Sequence, residues 1–351
     1  MPLFSGSSNE NDPGPGPEIW IVLSTCNAGT HLSPQIDSIL DQSHANWRLL
    51  IRDDGSTDGT IQSITRYAQS DPRVLMHEDV VPVCMGTRAS YSKLIQNALA
   101  RGAEWIALAD QDDVWMPDKL ARQVAALVAR PSSPDEPRLL HTDLRVVDRR
   151  LEPISESFLS YAGIEHVDAD PLRTLLIQNF VTGCTCVLSR GLAERAVPVP
   201  DAAIMHDWWI ALNAAAWGEI EFLPFRGTDY RQHAENQIGA KGYRQSIVAL
   251  IRRTFTMRES GIDELYQVVI QARAFSDHLR QSNGSPSIEC EGQAKVAREL
   301  TEEFVSLFEP SVSRFDRVRG LMRLGIARQD LIRDFTLKLK LLTSSFPVIP
   351  K

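Results

Sequence analysis

No apolar run in the sequence approaches the roughly 18 residues that cross a bilayer, so a membrane-spanning helix is not expected. The first residues have neither the basic start nor the apolar core of a signal peptide, and the expectation is a cytoplasmic protein. Cysteine is scarce. The five present, Cys26, Cys84, Cys184, Cys186 and Cys290, are odd in number and lack the spacing of a disulfide framework or a zinc site. Such usage suits a reducing compartment. Cationic excess is missing too: 37 Lys and Arg face 45 Asp and Glu, and a net charge of −8 argues against general nucleic-acid binding. No Gly-x-Gly-x-x-Gly follows the first apolar run, and no Gly-x-x-x-x-Gly-Lys-Ser/Thr occurs, which disfavours dinucleotide and P-loop phosphate sites.

What is present is a chain of 351 residues with 43% hydrophobic content, room for one large or two medium domains. Residues 1–17, rich in Ser, Gly, Asn and Pro, read as a disordered leader. The chain is organised around one stretch, Glu104 to Trp115. Its apolar part, Trp105 to Ala109, reads as a buried strand that stops at Asp110, Asp112 and Asp113, with a helix expected from about Pro117. Three carboxylates so close repel one another, and a hard divalent cation relieves that repulsion. The bland alternative is a turn and a helix cap.

The same strand, polar turn, helix rhythm precedes it. A strand over 19–24 ends at Thr25-Cys26-Asn27, and a helix follows with Leu32, Ile36, Ile39 and Leu40 on one face. A strand over 47–52 runs into Asp53-Asp54-Gly55-Ser56, a weaker one covers 74–76, and an amphipathic helix covers 88–101. This is the pattern of an α/β fold, a mostly parallel sheet flanked by helices. Its turns after strands one, two and four meet at one edge, gathering Thr25, Asn27, Asp53, Asp54 and Asp110–Asp113 around one crevice. Beyond it, 139–144 and 146–148 read as a strand and its turn, 155–170 as a loop over the site, and a helix follows Asp207. From 244 onward the segments 245–257, 263–281, 293–308 and 314–342 carry helical spacing.

Six motifs in order resemble the family-2 glycosyltransferases with the GT-A fold, most of all their bacterial rhamnosyltransferase-like branch. They are Thr25-x-Asn27, Arg52-Asp53-Asp54-Gly55-Ser56, Asp110-Gln111-Asp112-Asp113-x-Trp115, Asn179-x-x-Thr182-Gly183-Cys184-Thr185, His206-Asp207-Trp208-Trp209 and Tyr230-Arg231-Gln232-His233. The resemblance covers 19 to about 243. It implies a GT-A catalytic domain over 18–243 and a helical region over 244–351. Two departures stand out: Cys84-Met85-Gly86 where the family often has Asn-x-Gly, and Cys26 where an aromatic residue is common.

The resemblance also implies roles. Thr25, Asn27, Asp53, Asp54, Asp110 and Arg231 would bind the nucleotide sugar, with Asp53 or Asp54 accepting the imide N–H of a uracil or thymine. Asp110, Asp112 and His233 would hold Mg²⁺ or Mn²⁺. Asp207 would be the general base, its bland alternative being a helix cap. Thr182, Gly183, Thr185, Trp208 and Trp209 would line the acceptor side. The implied reaction is inverting transfer of a sugar, rhamnose from dTDP-rhamnose, to a surface polysaccharide or lipid-linked glycan. A UDP-hexose transferase and a non-catalytic nucleotide- or glycan-binding relative are the alternatives. Residues 314–342, with eight Lys and Arg against three Asp among large apolar side chains, suit peripheral contact with the inner face of the plasma membrane; helices packed on the catalytic domain are the plainer expectation.

Overall fold

The computed structural model describes residues 16–77, 84–232, 260–282, 288–344 and 346–347. Residues 1–15 of the expected 1–17 leader, the helix over 245–257, the junction near 243 and His233 lie outside the described residues.

The order begins β1 (Ile19–Thr25), α1 (Leu32–Leu40), β2 (Trp47–Asp53), α2 (Thr60–Ser70), β3 (Val74–Met76), α3 (Gly86–Ala100), β4 (Trp105–Ala109). There follow β5 (Val114–Trp115), α4 (Lys119–Ala129), β6 (Arg138–Val147), β7 (Pro153–Ser155), α5 (Phe158–Ala162) and α6 (Pro171–Leu175). A 3₁₀ turn (Gly183–Thr185), β8 (Val187–Ser189), α7 (Arg190–Ala196), α8 (His206–Trp217) and β9 (Glu219–Arg231) complete the sheet region. Four helices close the described chain: α9 (Ser260–Gln281), α10 (Ile288–Ser306), α11 (Arg314–Arg323) and α12 (Leu331–Thr343).

One sheet runs β3-β2-β1-β4-β8-β6-β9-β5, with β7 beside β6. Its strands form because short apolar runs alternate sides and both sides are covered. Ile19, Ile21 and Leu23 of β1, with Trp105, Ala107 and Ala109 of β4, pack under α1, α2 and α4. Trp20 and Val22, with Ile106 and Leu108, pack on the other face against α3, α8 and the C-terminal helices. The helices after 260 share this core through Leu265, Phe275, Phe304, Leu321 and Leu337. Parallel register pairs Thr25 with Asp53 and Leu23 with Ala109, so the three turns end at one level.

The parallel half, β3-β2-β1-β4, matches the expected pattern; the rest is mixed. β4 with β8, β8 with β6, β6 with β7 and β5 with β9 are antiparallel. The acidic turn does not lead straight into a helix: Val114 and Trp115 first pair with Asp229 and Thr228, and α4 starts at Lys119. The expected strand and turn over 139–148 is one strand, Arg138–Val147, held by nine register pairs with β9. The expected loop over 155–170 contains α5, whose Ser157 caps the Ser160 N–H and whose end turns at Gly163, φ +66°. Segment 314–342 is two helices. The break is at Gly325, φ +64°, a backbone setting that favours glycine.

Candidate functional site

The converging turns open onto a cavity of about 1040 Å³, just above the roughly 300–1,000 Å³ usual for ligand sites. Ser24 to His31, Asp54, Cys84, Tyr91 and Asp110–Asp112 line one part; Ile177–Gly183, Ile204–Trp208, Ile164, Arg328 and Arg333 line another.

The turn after β1 is stitched to its neighbours. The Cys26 N–H donates to Gln111 Oε1 at 2.7 Å and the Asn27 N–H to Ser56 Oγ at 2.7 Å. Asn27, at φ +48°, accepts the Thr57 N–H on its Oδ1 at 2.8 Å. Asn tolerates that left-handed conformation better than most residues.

The two aspartates after β2 separate. Asp53 accepts from Thr25 Oγ1, Ser56 Oγ and the N–H groups of Gly55 and Ser56, so its carboxylate builds the turn; it is not on the cavity wall. Asp54 is on the wall and buried, paired with Arg52 Nη1 at 2.6 Å. It also accepts the N–H groups of Met85 and Gly86 and, at 3.6 Å, the Cys84 thiol. Burial alone would raise its pKa; the Arg52 bond and the two backbone N–H groups outweigh burial and hold it below the usual value.

The carboxylates after β4 are crowded. Burial, then repulsion from Asp112, pushes Asp110 up to about 6 despite the Tyr91 hydroxyl bonded to it at 2.8 Å. Burial, then Asp112 and Asp110, pushes Asp113 well up, and its buried Oδ2 has no hydrogen-bond partner among the described residues. One ligand atom each from Asp110, Asp113 and Cys184 lies within 4.8 Å of the others. The orphaned oxygen and the mutual repulsion fit a hard divalent cation held through oxygen. Cys184 is a poor ligand for such an ion, because burial and the two carboxylates push its thiol well up and keep it protonated. Behind the cluster Lys119 donates to the Cys184 carbonyl at 2.6 Å and lies 3.5 Å over the Trp115 ring.

Tyr91 connects this cluster to α8: its ring stacks on His206 with centroids 4.0 Å apart. Burial drives His206 down to about 3, so the ring is neutral, and neither nitrogen has a partner among the described residues. Next to it Asp207 accepts the Gly183 N–H at 3.0 Å, the Asn179 amide at 3.3 Å and the Trp208 N–H at 2.6 Å. The N-cap is Met205, so Asp207 stands in the first helical turn rather than capping it. Desolvation raises it to about 7. A carboxyl ionising near neutrality in a cavity is suited to taking a proton.

Several expected positions lie elsewhere. Trp209 is 1% exposed, bonded to the Ala196 carbonyl and packed on Phe275; it belongs to the core, because the helix turns it away from the cavity while Trp208 faces it. Thr185 is buried with its hydroxyl on the Thr182 carbonyl. Arg231 is also off the wall. Its Nε donates to the Asp112 carbonyl at 2.9 Å and its Nη1 to the Arg149 carbonyl, a clamp on the acidic turn. Thr182, Gly183 and Trp208 do line the cavity. Tyr91 and Cys184 are additions at the acidic end. Tyr91 is a plain inward residue in the helical pattern, and nothing in that pattern separates it from the core.

The sheet order, the converging turns and the acidic end of β4 are those of a GT-A fold. S. aureus TarS 1–349 in complex with UDP-GlcNAc shares the fold, with TM-score 0.51 at 15% identity, over 93% of this chain and 90% of that one. Residues 20–134 match glycosyl transferase family 2. The putative teichuronic acid biosynthesis glycosyltransferase TuaG of Bacillus subtilis (strain 168) is 32% identical over 212 residues, 59% of this chain and 77% of that protein. The UDP-Glc:alpha-D-GlcNAc-diphosphoundecaprenol beta-1,3-glucosyltransferase WfgD of Escherichia coli is 31% identical over 110 residues, 31% of this chain and 41% of that protein. The chain belongs to glycosyl transferase family 2 and is a glycosyltransferase.

Proposed function

We propose that the chain moves rhamnose, with inversion, from a thymidine diphosphate donor to a surface polysaccharide or a lipid-linked glycan. The observation that carries this reading is one cavity lined both by Asp110 and Asp112 of the crowded acidic turn and by a separate carboxyl, Asp207, that ionises near 7. Glycosyl transfer needs both: a place for a charged diphosphate and a base for the acceptor hydroxyl.

Asp54, the aspartate on the wall, takes the imide N–H of the base in exchange for its weak thiol contact with Cys84. Thr25 and Asn27 flank the nucleotide, and Asp110 faces its ribose or the ion. Asp110, Asp112 and Asp113 would hold Mg²⁺ or Mn²⁺, which would offset the charge developing on the departing diphosphate. Arg231 keeps the Asp112 backbone in place. Thr182, Gly183 and Trp208 present the acceptor. Asp207 removes its proton as the acceptor oxygen attacks the anomeric carbon opposite the leaving diphosphate, and a single displacement inverts the centre.

A UDP-hexose donor is the second reading. Uracil offers Asp54 the same imide N–H as thymine, and WfgD is named for UDP-Glc. A non-catalytic binder has no use for a carboxyl tuned to about 7. We place the catalytic domain over 18–243, the helical region over 244–351, and the protein on the cytoplasmic side. Contact with a membrane through 314–342 is proposed independently of the transfer reading; among the described residues no helix is long and apolar enough to cross one.

Purified protein should be offered a panel of nucleotide sugars with and without Mn²⁺, with product detected by mass. Turnover of dTDP-rhamnose above the UDP-hexoses supports the first reading. Preference for a UDP-hexose replaces it with the second, and no turnover of any donor with any acceptor overturns both.

A further inference from the structure

One wall of the cavity has no task in donor binding or proton removal. It is formed by Arg328, in the turn between α11 and α12, and Arg333, early in α12. This turn is fastened to the acceptor side. The Gln329 N–H donates to Gln178 at 3.0 Å, the Gln329 amide donates to the Glu165 carbonyl at 2.7 Å, and Arg173 donates to the Leu324 carbonyl. Arg328 pairs at 3.5 Å with Glu264, which is on the same wall, and its buried Nε has no partner among the described residues. Two guanidinium side chains therefore line the cavity, one of them held by a single long carboxylate contact, an arrangement suited to phosphate oxygens.

The helices carrying them have a second face. On α12 Asp334, Leu337 and Leu341 turn inward, while Leu331, Phe335 and Leu339 stand exposed at four-residue steps beside Ile332. On α11 Arg317, Gly320 and Leu321 turn inward, while Phe315 and Met322, two turns apart, are 75% and 65% exposed. Among the described residues eleven large apolar side chains are exposed, and six of them are on these two helices, so the apolar surface is concentrated here. Charge decides the partner. Residues 314–342 hold eight Arg and Lys against three Asp, in a chain of net charge −8. Arg319, Arg323, Arg328 and Lys338 pair with nearby carboxylates and Arg317 is buried, yet the segment keeps a cationic excess that a second copy would repeat. An anionic bilayer supplies both a negative surface and an apolar interior.

We propose that the exposed face of α11 and α12 docks on an anionic bilayer, and that Arg328 and Arg333 bind the phosphate of a lipid-borne acceptor drawn from it into the cavity. The word acceptor rests on the glycosyl-transfer reading; the docking and the phosphate contact do not. Each cation near such a surface adds about fivefold in affinity, and the apolar side chains add to that.

The test uses the full chain and vesicle co-sedimentation. Vesicles are phosphatidylcholine alone, with phosphatidylglycerol, and with phosphatidylglycerol plus a small amount of an isoprenoid diphosphate. Wild type should pellet at least about tenfold better with anionic than with neutral vesicles at low salt, and release as salt rises. The triple change Leu331→Asn, Phe335→Asn, Leu339→Asn should lose about tenfold or more while keeping its melting curve, because these side chains touch solvent. The isoprenoid diphosphate should strengthen wild-type binding, and the pair Arg328→Gln, Arg333→Gln should remove that increment. Equal pelleting of the triple variant, indifference to lipid charge, or no wild-type binding at low salt overturns the docking. An increment that is absent, or that survives in the arginine variant, overturns the phosphate site. Vesicle binding without any sugar transfer would instead sink the transfer reading alone.

Discussion

Gly183 donates its backbone N–H to the carboxylate of Asp207 at 3.0 Å, in a space where a larger residue would be tight. A Cβ there would stand 3.1 Å from His206 Nε2 and 3.4 Å from Asp207 Cβ. The contact helps to set where the Asp207 carboxyl points, and the glycine is favoured there by close approach rather than by an unusual φ.

Gly183→Ala should cost about 1–3 kcal/mol of stability through overpacking and lower kcat together with it. Thermal unfolding and initial rates check both. Wild-type kcat in a variant whose melting point has dropped would mean that the placement of Asp207 does not govern turnover.

Asp207→Asn should bind the nucleotide sugar as wild type does and lose about 10²–10⁴-fold in kcat, because only the proton transfer is removed. The pH profile carries the same assignment. Desolvation raises Asp207 to about 7, so the ionised base is scarce below that pH and dominant above it. Wild-type kcat/KM should climb tenfold per pH unit below about 7 and level off above. A flat profile between pH 5 and 8 would place the base on another group.

How much of this could be read from the sequence depends on what carried the signal. Asp110 and Asp112, an acidic break at the end of an apolar run, announced a ligand end, and the parallel half of the sheet followed from strand and helix spacing. Strand direction past β4 was invisible, because a three-residue strand such as Val187–Ser189 has the same pattern in either sense. Trp208 and Trp209 look alike on paper; only the phase of α8 sends one to the cavity and the other against Phe275. Arg231 was legible as a charge near the site, but not as a clamp on the Asp112 carbonyl, since that depends on β9 lying close to the acidic turn. Tyr91 bridges Asp110 and His206 from a position that spacing marks only as buried.

Turnover should require a divalent cation. Asp112→Asn is close in size and should leave the melting curve nearly unchanged while weakening Mn²⁺ binding, measured by calorimetry, at least about tenfold, since a carboxylate oxygen is the ligand a hard ion prefers. Undiminished wild-type turnover in excess chelator would remove the metal from the scheme.

The buried pair Arg52–Asp54 makes a prediction about acid stability that is independent of catalysis. Asp54 is 3% exposed and 2.6 Å from Arg52, so Asp54→Asn leaves a buried guanidinium without its counter-charge and should cost about 3–5 kcal/mol at neutral pH. The sign of the pH effect follows from the lowered carboxyl. A folded pKa below the unfolded value contributes stability that is present above the unfolded value and is lost as pH falls through the folded one. Wild type should therefore keep this contribution down to about pH 4 and shed it below, whereas Asp54→Asn has no such group to protonate. Urea unfolding from pH 7 to pH 2.5 measures the difference directly. The gap between the two proteins should be wide at pH 7 and narrow below pH 4. A gap that stays constant down to pH 2.5 would show that the Asp54 carboxyl is not held below its ordinary value, and that Arg52 is stabilised by its other bonds, such as that to Ser90 at 2.9 Å.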